Sequence, residues 1–215
     1  RFHWHPSCLP TRRDPRCALP HCYGDYRDTH YPLPPQRHIC TRDRPQEPVQ
    51  TEQRFMSVKR EVPQNVLTMM YHMCGRRDAD YQVCDMLSDV LSNGMSSRFY
   101  RNVLVKSGLF TELDASVSGT YDPGLFIVRA RLADGVSFDK AKDAIDAELA
   151  DFVSNGATAY EIEKCANKYE STRLFDMITY EKKGVKLCQY ELLGDAADIN
   201  KEVGKYRCIT QDRLM

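Results

Sequence analysis

The sequence predicts an α+β protein in which an antiparallel-rich sheet packs on helices in two layers. Apolar and polar residues alternate from Leu109 to Tyr121, and a second strand-like run follows at 125–132 after an Asp-Pro-Gly turn. Beyond Ser137 the apolar residues change to helical spacing. Hairpin-linked strands followed by a separate run of helices are typical of an α+β domain.

The composition changes abruptly near residue 50. The chain before that point contains eight arginines, no lysine, many prolines and almost no aliphatic pattern. Prolines at this density exclude regular helices, and the segment cannot build an ordinary core. We therefore divide the chain into residues 1–44, an irregular Pro/Arg/His/Cys-rich segment, and residues 45–215. For residues 1–44 we favour out-of-frame translation or another artefact, and the alternative is a disordered or extended native segment.

Histidines and cysteines in the first segment raise the question of a metal site. They include His3, His5 and Cys8, followed by Cys17, His21 and Cys22. No Cys-x-x-Cys pair or finger spacing occurs among them, and spacing rather than number defines such sites. Compositional bias is the favoured interpretation, and ordered zinc binding is the alternative.

Two strands and two helices are predicted before the hairpin. The first strand covers 53–59 by alternation, and a buried strand covers 66–74 after a break at Pro63-Gln64-Asn65. Asp78 is the predicted N-cap of a helix that ends at Asn93-Gly94. Its apolar stripe contains Tyr81, Cys84, Leu87 and Leu91, with Val83, Met86 and Val90 beside it. A second helix is predicted from Ser96 or Ser97 to Ser107-Gly108.

Helices dominate the chain after the hairpin. Ser137 is predicted to cap a helix that presents Phe138, Ala141, Ile145, Leu149 and Phe152 on one face and ends before Gly156. Thr158 and Glu161 match a capping box. The helix they open is predicted to continue to Leu193, with a possible kink at Gly184, and shorter helices are predicted at 198–206 and from Thr210.

A stretch in the middle of the chain resembles a known family. Ser96-Ser97-Arg98-Phe99-Tyr100, a short helix, Gly108-Leu109 and a long strand resemble the second, non-catalytic domain of the insulinase/pitrilysin (M16) zinc peptidases. The resemblance covers residues 45–215 and implies the M16 metallopeptidase-like (LuxS/MPP-like) fold. It also implies a truncated domain, with the first strand and helix falling in the irregular segment and the last helix and strand lying beyond Met215.

The resemblance implies zinc in the parent family but no cofactor in this chain. Family members hold zinc with an inverted His-x-x-Glu-His motif on a helix of the preceding domain. This sequence contains neither that motif nor His-Glu-x-x-His, and His72, the single histidine after residue 50, is predicted to be structural. The chain is therefore predicted to be inactive by itself, although its parent family consists of zinc metalloendopeptidases.

The family's second domain contributes an arginine and a tyrosine that contact the peptide backbone near the zinc. Alignment on Gly108-Leu109 places Leu104 at the arginine position and Thr111 at the tyrosine position. These are weak substrate-binding candidates, because leucine offers no donor and threonine is shorter than tyrosine. No catalytic or metal-binding residue is predicted in this chain.

Cysteine content and charge limit the compartment and the partners. The five cysteines after residue 50 are predicted to be buried free thiols, and their odd number slightly favours a reducing cytoplasm over the periplasm. The formal net charge is zero, which does not favour nucleic acid. No apolar run reaches the roughly 20 residues that span a membrane.

Three functional hypotheses follow from the sequence. In the first, residues 45–215 form the non-catalytic wall of a peptide-enclosing chamber whose zinc domain hydrolyses peptides. Its expected partners are that zinc domain or a partner subunit of the same family, the peptide, and further copies of the chain in a homo-oligomer. In the second, the chain is a non-enzymatic pseudo-peptidase subunit that binds peptides or scaffolds a partner. The third is a stand-alone α+β binding domain unrelated to peptidases.

Overall fold

The computed structural model describes residues 50–214, and the chain divides into two units, 1–59 and 60–215. Residues 50–59 form neither helix nor strand, and every one of them is exposed. The strand predicted at 53–59 is therefore wrong. Alternation alone is insufficient there, because a strand needs a paired neighbour and a buried face. The zinc alternative for the histidines and cysteines before residue 41 lies outside the described residues.

A three-stranded antiparallel sheet forms one layer of the second unit. Its strands are β1 (Val66–Met73), β2 (Phe110–Val117) and β3 (Gly124–Leu132), in the order β1-β3-β2. The β2–β3 hairpin confirms the prediction, with the Asp-Pro-Gly turn between its strands. Together with the helices below, this sheet confirms the α+β class.

Strand β1 is an edge strand, which corrects the prediction of a buried strand. Leu67, Met69 and Met73 turn toward the core, whereas Met70 is 60% exposed and Val66 is 48% exposed. The apolar run gave no indication of this exposure, because a sheet edge is defined by the neighbours that a strand lacks. Within residues 50–214, β1 pairs only with β3.

Helix α1 (Tyr81–Ser92) packs against β2 and buries Met86, Val90 and Leu91. Asp80, not Asp78, is its N-cap. The carboxylate of Asp78 instead accepts a hydrogen bond from the Gly75 N–H at 2.7 Å and closes the preceding turn. Because aspartate competes for local backbone donors, its side chain can stabilise a turn as readily as a helix start.

The predicted second helix is present, but its centre is wound as a π-helix. The π-helical segment Phe99–Leu104 runs into α2 (Val105–Ser107) and ends at Gly108, whose φ is 62°. This left-handed conformation is the one that glycine adopts at little cost. Phe99 and Val103 are buried and attach the segment to the core.

Two long helices follow the hairpin. Helix α3 (Phe138–Asn155) has Ser137 at its N-cap and buries Ala141, Ile145 and Phe152, as predicted, although Phe138 is 47% exposed. Helix α4 (Ala159–Asp176) begins with the predicted capping box between Thr158 and Glu161.

The single long helix predicted to Leu193 is in fact two helices. Helix α4 ends at Asp176, and α5 (Tyr180–Leu193) begins after Thr179, whose side chain accepts a hydrogen bond from the Lys182 N–H at 3.4 Å. The break therefore coincides with a threonine cap. Gly184, the predicted kink, lies inside α5.

The C-terminal region contains short elements. A 3₁₀ turn at Ala196–Asn200 and α6 (Glu202–Arg207) replace the single helix predicted at 198–206, and α7 (Gln211–Leu214) confirms the predicted start at Thr210. The core lies between the inner face of the sheet and the helices. No helix in the described part of the chain is long and apolar enough to cross a membrane.

Candidate functional site

The two candidate substrate-binding positions lie on consecutive elements. Leu104 is the last residue of the π-helical segment and is half-buried against the core. Thr111 is exposed near the start of β2, with its hydroxyl 3.2 Å from Gln64 Oε1 and 3.4 Å from the Arg131 carbonyl oxygen. Leu104 thus serves packing, and the Thr111 hydroxyl already has neighbouring acceptors.

A β-bulge separates Thr111 from the regular ladder. The pairing of β2 with β3 shifts register between Phe110 and Glu112. An extra residue in one strand redirects the side chains beside it. As a result Phe110 is buried and Thr111 is exposed, so the simple alternation predicted from Leu109 onward fails at the start of the strand.

The sheet face that points away from the helices forms an extended surface near these positions. The register aligns its outward residues in rows: Val66, Arg131 and Glu112; Thr68, Arg129 and Asp114; and Met70, Ile127 and Ser116. Arg131 Nε lies 3.1 Å from Glu112 Oε2. This outer sheet face, as we name it, is polar at the first two rows and more apolar at the third.

The described residues do not fit a zinc site. No group of three or more His, Cys, Asp or Glu side chains in residues 50–214 is arranged to hold a metal ion. His72 lies exposed on β1 and is the single histidine among residues 50–214.

A groove of about 420 Å³ lies between the π-helical segment and α3. Its polar lining comes from Asn102, Lys106, Ser107, Glu148 and Asp151. Asn102 Nδ2 donates to the buried Glu148 carboxylate at 3.0 Å, and burial raises the pKa of that carboxyl group. This hydrogen bond joins the π-helical segment to α3 across the groove.

The cysteines only partly match the prediction. All five described cysteines are free, as expected. Cys165 is buried, and burial raises its pKa to about 11. Cys74 and Cys84 are half-buried, whereas Cys188 and Cys208 are exposed, so the expectation of burial is wrong for these last two. Cys188 lies on α5, whose outer face is also apolar, and helical spacing cannot distinguish two apolar faces. Cys208 directly follows the last residue of α6.

Two features were missed from sequence. Arg98 links the π-helical segment to Glu161 on α4, and Arg173 on α4 is buried with its guanidinium 5.4 Å from the Tyr190 ring centroid on α5. Neither contact had a sequence signal, because the partners are 63 and 17 positions apart and belong to different helices. The capping-box pattern with Thr158 was the only sequence signal that singled out Glu161.

Sequence comparison identifies a family match. The family model described as the Peptidase M16 inactive domain matches residues 29–169. The match starts before residue 45, and the domain boundary predicted there stays a prediction. No curated protein sequence matches the chain.

Solved structures with the same fold include domains of bacterial proteases. A candidate zinc protease from Bordetella pertussis Tohama I is 24% identical with a TM-score of 0.62, and the match covers 69% of this chain and 82% of that one. The inactive peptidase domain of a candidate zinc protease from Bordetella parapertussis is 23% identical with a TM-score of 0.65, covering 74% and 86%. A Helicobacter pylori protease is 16% identical with a TM-score of 0.67, and the match covers 73% of this chain but 38% of that protein.

Proposed function

The chain belongs to the M16 peptidase family as its inactive domain, and from that premise we propose that it forms part of the wall of a peptide-enclosing chamber. A zinc domain of the same family, on the same polypeptide or on a partner subunit, would carry out the hydrolysis. The chain contributes surface and packing, and no bond-making step.

The observation that carries this proposal is the outer sheet face. One face of the sheet is covered by helices, while the other presents Arg129, Arg131, Met70 and Ile127 without a covering element among the described residues. A polypeptide substrate offers backbone carbonyls and mixed side chains. Arginine donors and an apolar row can contact both kinds of group.

A second surface supports docking to a neighbouring domain. Six apolar side chains between the end of α4 and the end of α5 are each more than half exposed: Leu174, Phe175, Ile178, Tyr180, Val185 and Leu192. We name this surface the α4–α5 apolar patch. Exposed apolar clusters of this kind commonly mark interfaces. The partner that we propose for it is the zinc domain.

In that arrangement the partner's zinc would activate a water molecule for attack on the peptide bond. The outer sheet face would hold the peptide in an extended form. The absence of an arginine at Leu104 and of a tyrosine at Thr111 means that this chain would contribute to substrate affinity more than to transition-state charge.

The test uses the full chain together with an M16 zinc domain with which it co-purifies. Arg129→Glu combined with Arg131→Glu should lower kcat/KM for a fluorogenic peptide by about tenfold, through KM, because two charge-assisted contacts are lost. The control is Lys140→Glu, an exposed residue at the start of α3. Unchanged kcat/KM in the double variant, with the complex intact, would overturn the chamber role.

The alternative is a pseudo-peptidase subunit, and Leu104 with Thr111 is the observation that favours it. If the assembled complex binds a peptide but does not cleave it, the pseudo-peptidase is correct. Thr111→Tyr, at an exposed position, separates the two functions further. It should raise kcat in a peptidase by supplying a donor near the scissile bond, and it should leave a pseudo-peptidase without turnover.

A further inference from the structure

Residues 53–59 have the alternation of a strand, yet they belong to no sheet in the described part of the chain. Three of their apolar side chains are largely exposed: Phe55 at 88%, Met56 at 85% and Val58 at 65%. The residues include no proline or glycine, and phenylalanine and valine favour strands. What they lack is the sheet edge that a strand needs beside it. We name them the 53–59 segment.

Strand β1 presents an open edge among the described residues, because it pairs only with β3. The Leu132 N–H donates to the Asn65 carbonyl oxygen at 2.9 Å, so these two residues occupy a hydrogen-bonded position of the ladder. Such positions alternate, and the backbone N–H and C=O groups of Val66, Thr68 and Met70 therefore point toward the open edge. The strand contains no lysine, arginine, aspartate, glutamate or proline, which are residues that hinder further pairing at an edge.

Side chains on both faces of β1 are exposed beside that edge. Met70 is 60% exposed and Val66 is 48% exposed on the outer face, and Tyr71 is 44% exposed on the face toward the helices. The 53–59 segment spans about 23 Å when extended, and the eight residues of β1 span about 26 Å. A strand of that length covers the exposed side chains of β1 and buries its own.

We propose that the 53–59 segment of one copy of the chain adds as a fourth strand to the β1 edge of a second copy, and that the exchange is reciprocal. Each chain has one open edge and one unpaired strand-like segment. A two-fold dimer satisfies both needs in both copies at once, because a symmetric interface uses each contact twice. This interface does not depend on the chamber role and does not use the α4–α5 apolar patch.

The side-chain pattern favours one face for each residue of the added strand. Opposite residues of an antiparallel pair share a face, so Phe55 opposite Met70 on the outer face places Met56 beside Met69. Met69 packs against the core, and Met56 would extend that apolar row. Ser57 then lies on the outer face, where its hydroxyl remains in contact with water. The reverse arrangement would bury this hydroxyl on the apolar side of the sheet.

Sedimentation of the full chain over a range of concentrations measures the dimer. Val58→Asp should raise the dimer dissociation constant about tenfold, because it places a charge within the added strand. The matched control is Val62→Asp, which lies outside the segment at a similar exposure of 57% and should dimerise as the unmodified chain does. A chain that stays monomeric at every concentration, or equal weakening by the two variants, would overturn the proposal.

A second measurement identifies the contact itself. The variant Phe55→p-benzoylphenylalanine is mixed in equal amounts with its heavy-isotope-labelled form and irradiated, and the crosslinked peptides are analysed by mass spectrometry. The expected products join position 55 of a light chain to β1 of a heavy chain, and the reverse. Crosslinks confined to a single chain, or light–heavy crosslinks to a part of the chain other than β1, would contradict the strand exchange.

Discussion

Arg98 and Glu161 form a two-pronged ion pair that joins the π-helical segment to the start of α4. Arg98 Nε donates to Glu161 Oε1 at 2.9 Å, and its Nη2 donates to Oε2 at 3.0 Å and to the Gly156 carbonyl oxygen at 2.7 Å. Glu161 is also the acidic member of the capping box with Thr158. The arginine of the Ser-Arg motif therefore has a structural role in this chain.

Glu161→Gln should destabilise the domain at neutral pH by about 2 kcal/mol, because it removes the charge from hydrogen bonds that Arg98 and Thr158 make to one half-buried carboxylate. Urea unfolding at pH 7 measures the loss. Glu163→Gln, an exposed change on the same helix, is the control and should lie within about 0.5 kcal/mol of the unmodified chain.

The same pair predicts a pH dependence. Burial raises the pKa of Glu161, but the Arg98 and Thr158 hydrogen bonds outweigh this effect and lower it to about 2, from an ordinary value of 4.5. A lowered pKa stabilises the folded state above the ordinary value, and the contribution is lost as the pH falls from about 4.5 to about 2. The stability difference between Glu161→Gln and the unmodified chain should shrink in that window, and a constant difference would contradict the role of the charge.

Two glycines should respond in opposite directions to alanine. Gly108 has φ 62°, so Gly108→Ala should cost about 1 kcal/mol through backbone strain, although nothing lies within 4 Å of the added Cβ. Gly184 lies inside α5 with equally open space, so Gly184→Ala should stabilise by about 1 kcal/mol. Thermal unfolding of both variants checks the signs, and shifts in the same direction would exclude backbone conformation as the cause.

The uncharged edge of β1 should promote aggregation. The strand contains no lysine, arginine, aspartate, glutamate or proline, and the exposed Met70 lies near its centre. Met70→Lys should slow aggregation on mild heating, measured by light scattering, because charge at a sheet edge opposes pairing with another chain. Val153→Lys, which removes an exposed apolar group from α3, is the control, and equal protection by both variants would attribute the effect to net charge.

Charges placed on the α4–α5 apolar patch should weaken association. Val185→Lys combined with Leu192→Lys leaves the fold intact, because both side chains are more than half exposed. The apparent mass in light scattering should fall toward the monomer, and capture of an M16 zinc domain should decrease. If self-association and capture of the zinc domain both persist in this variant, the interface lies elsewhere.

Helices that are defined by a local cap and a single apolar face were predictable from the sequence. The N-cap at Ser137, the capping box at Thr158 and the stop at Gly108 each depend on a single local interaction, and each is found in the predicted place. Strand pairing in the hairpin was equally local, because the Asp-Pro-Gly turn fixes its two strands as neighbours.

Features that depend on a distant partner were not predictable. The exposure of β1 and the bulge beside Thr111 depend on which neighbours a segment meets, and alternation carries no information about them. The weak candidate site shows the same limit. Alignment on Gly108-Leu109 selected Leu104 and Thr111, but only the folded structure shows that Leu104 packs against the core and that Thr111 lies beside a bulge.

The sequence by itself determined the α+β class, the hairpin and the starts of α3, α4 and α7, because these depend on interactions within a few residues. It also indicated the family through the Ser-Arg and Gly-Leu motifs. Only the tertiary structure decided that β3 is the central strand and how Arg98 is used. Those features join residues far apart in the chain, and their energies come from burial and charge pairing that exist only after folding.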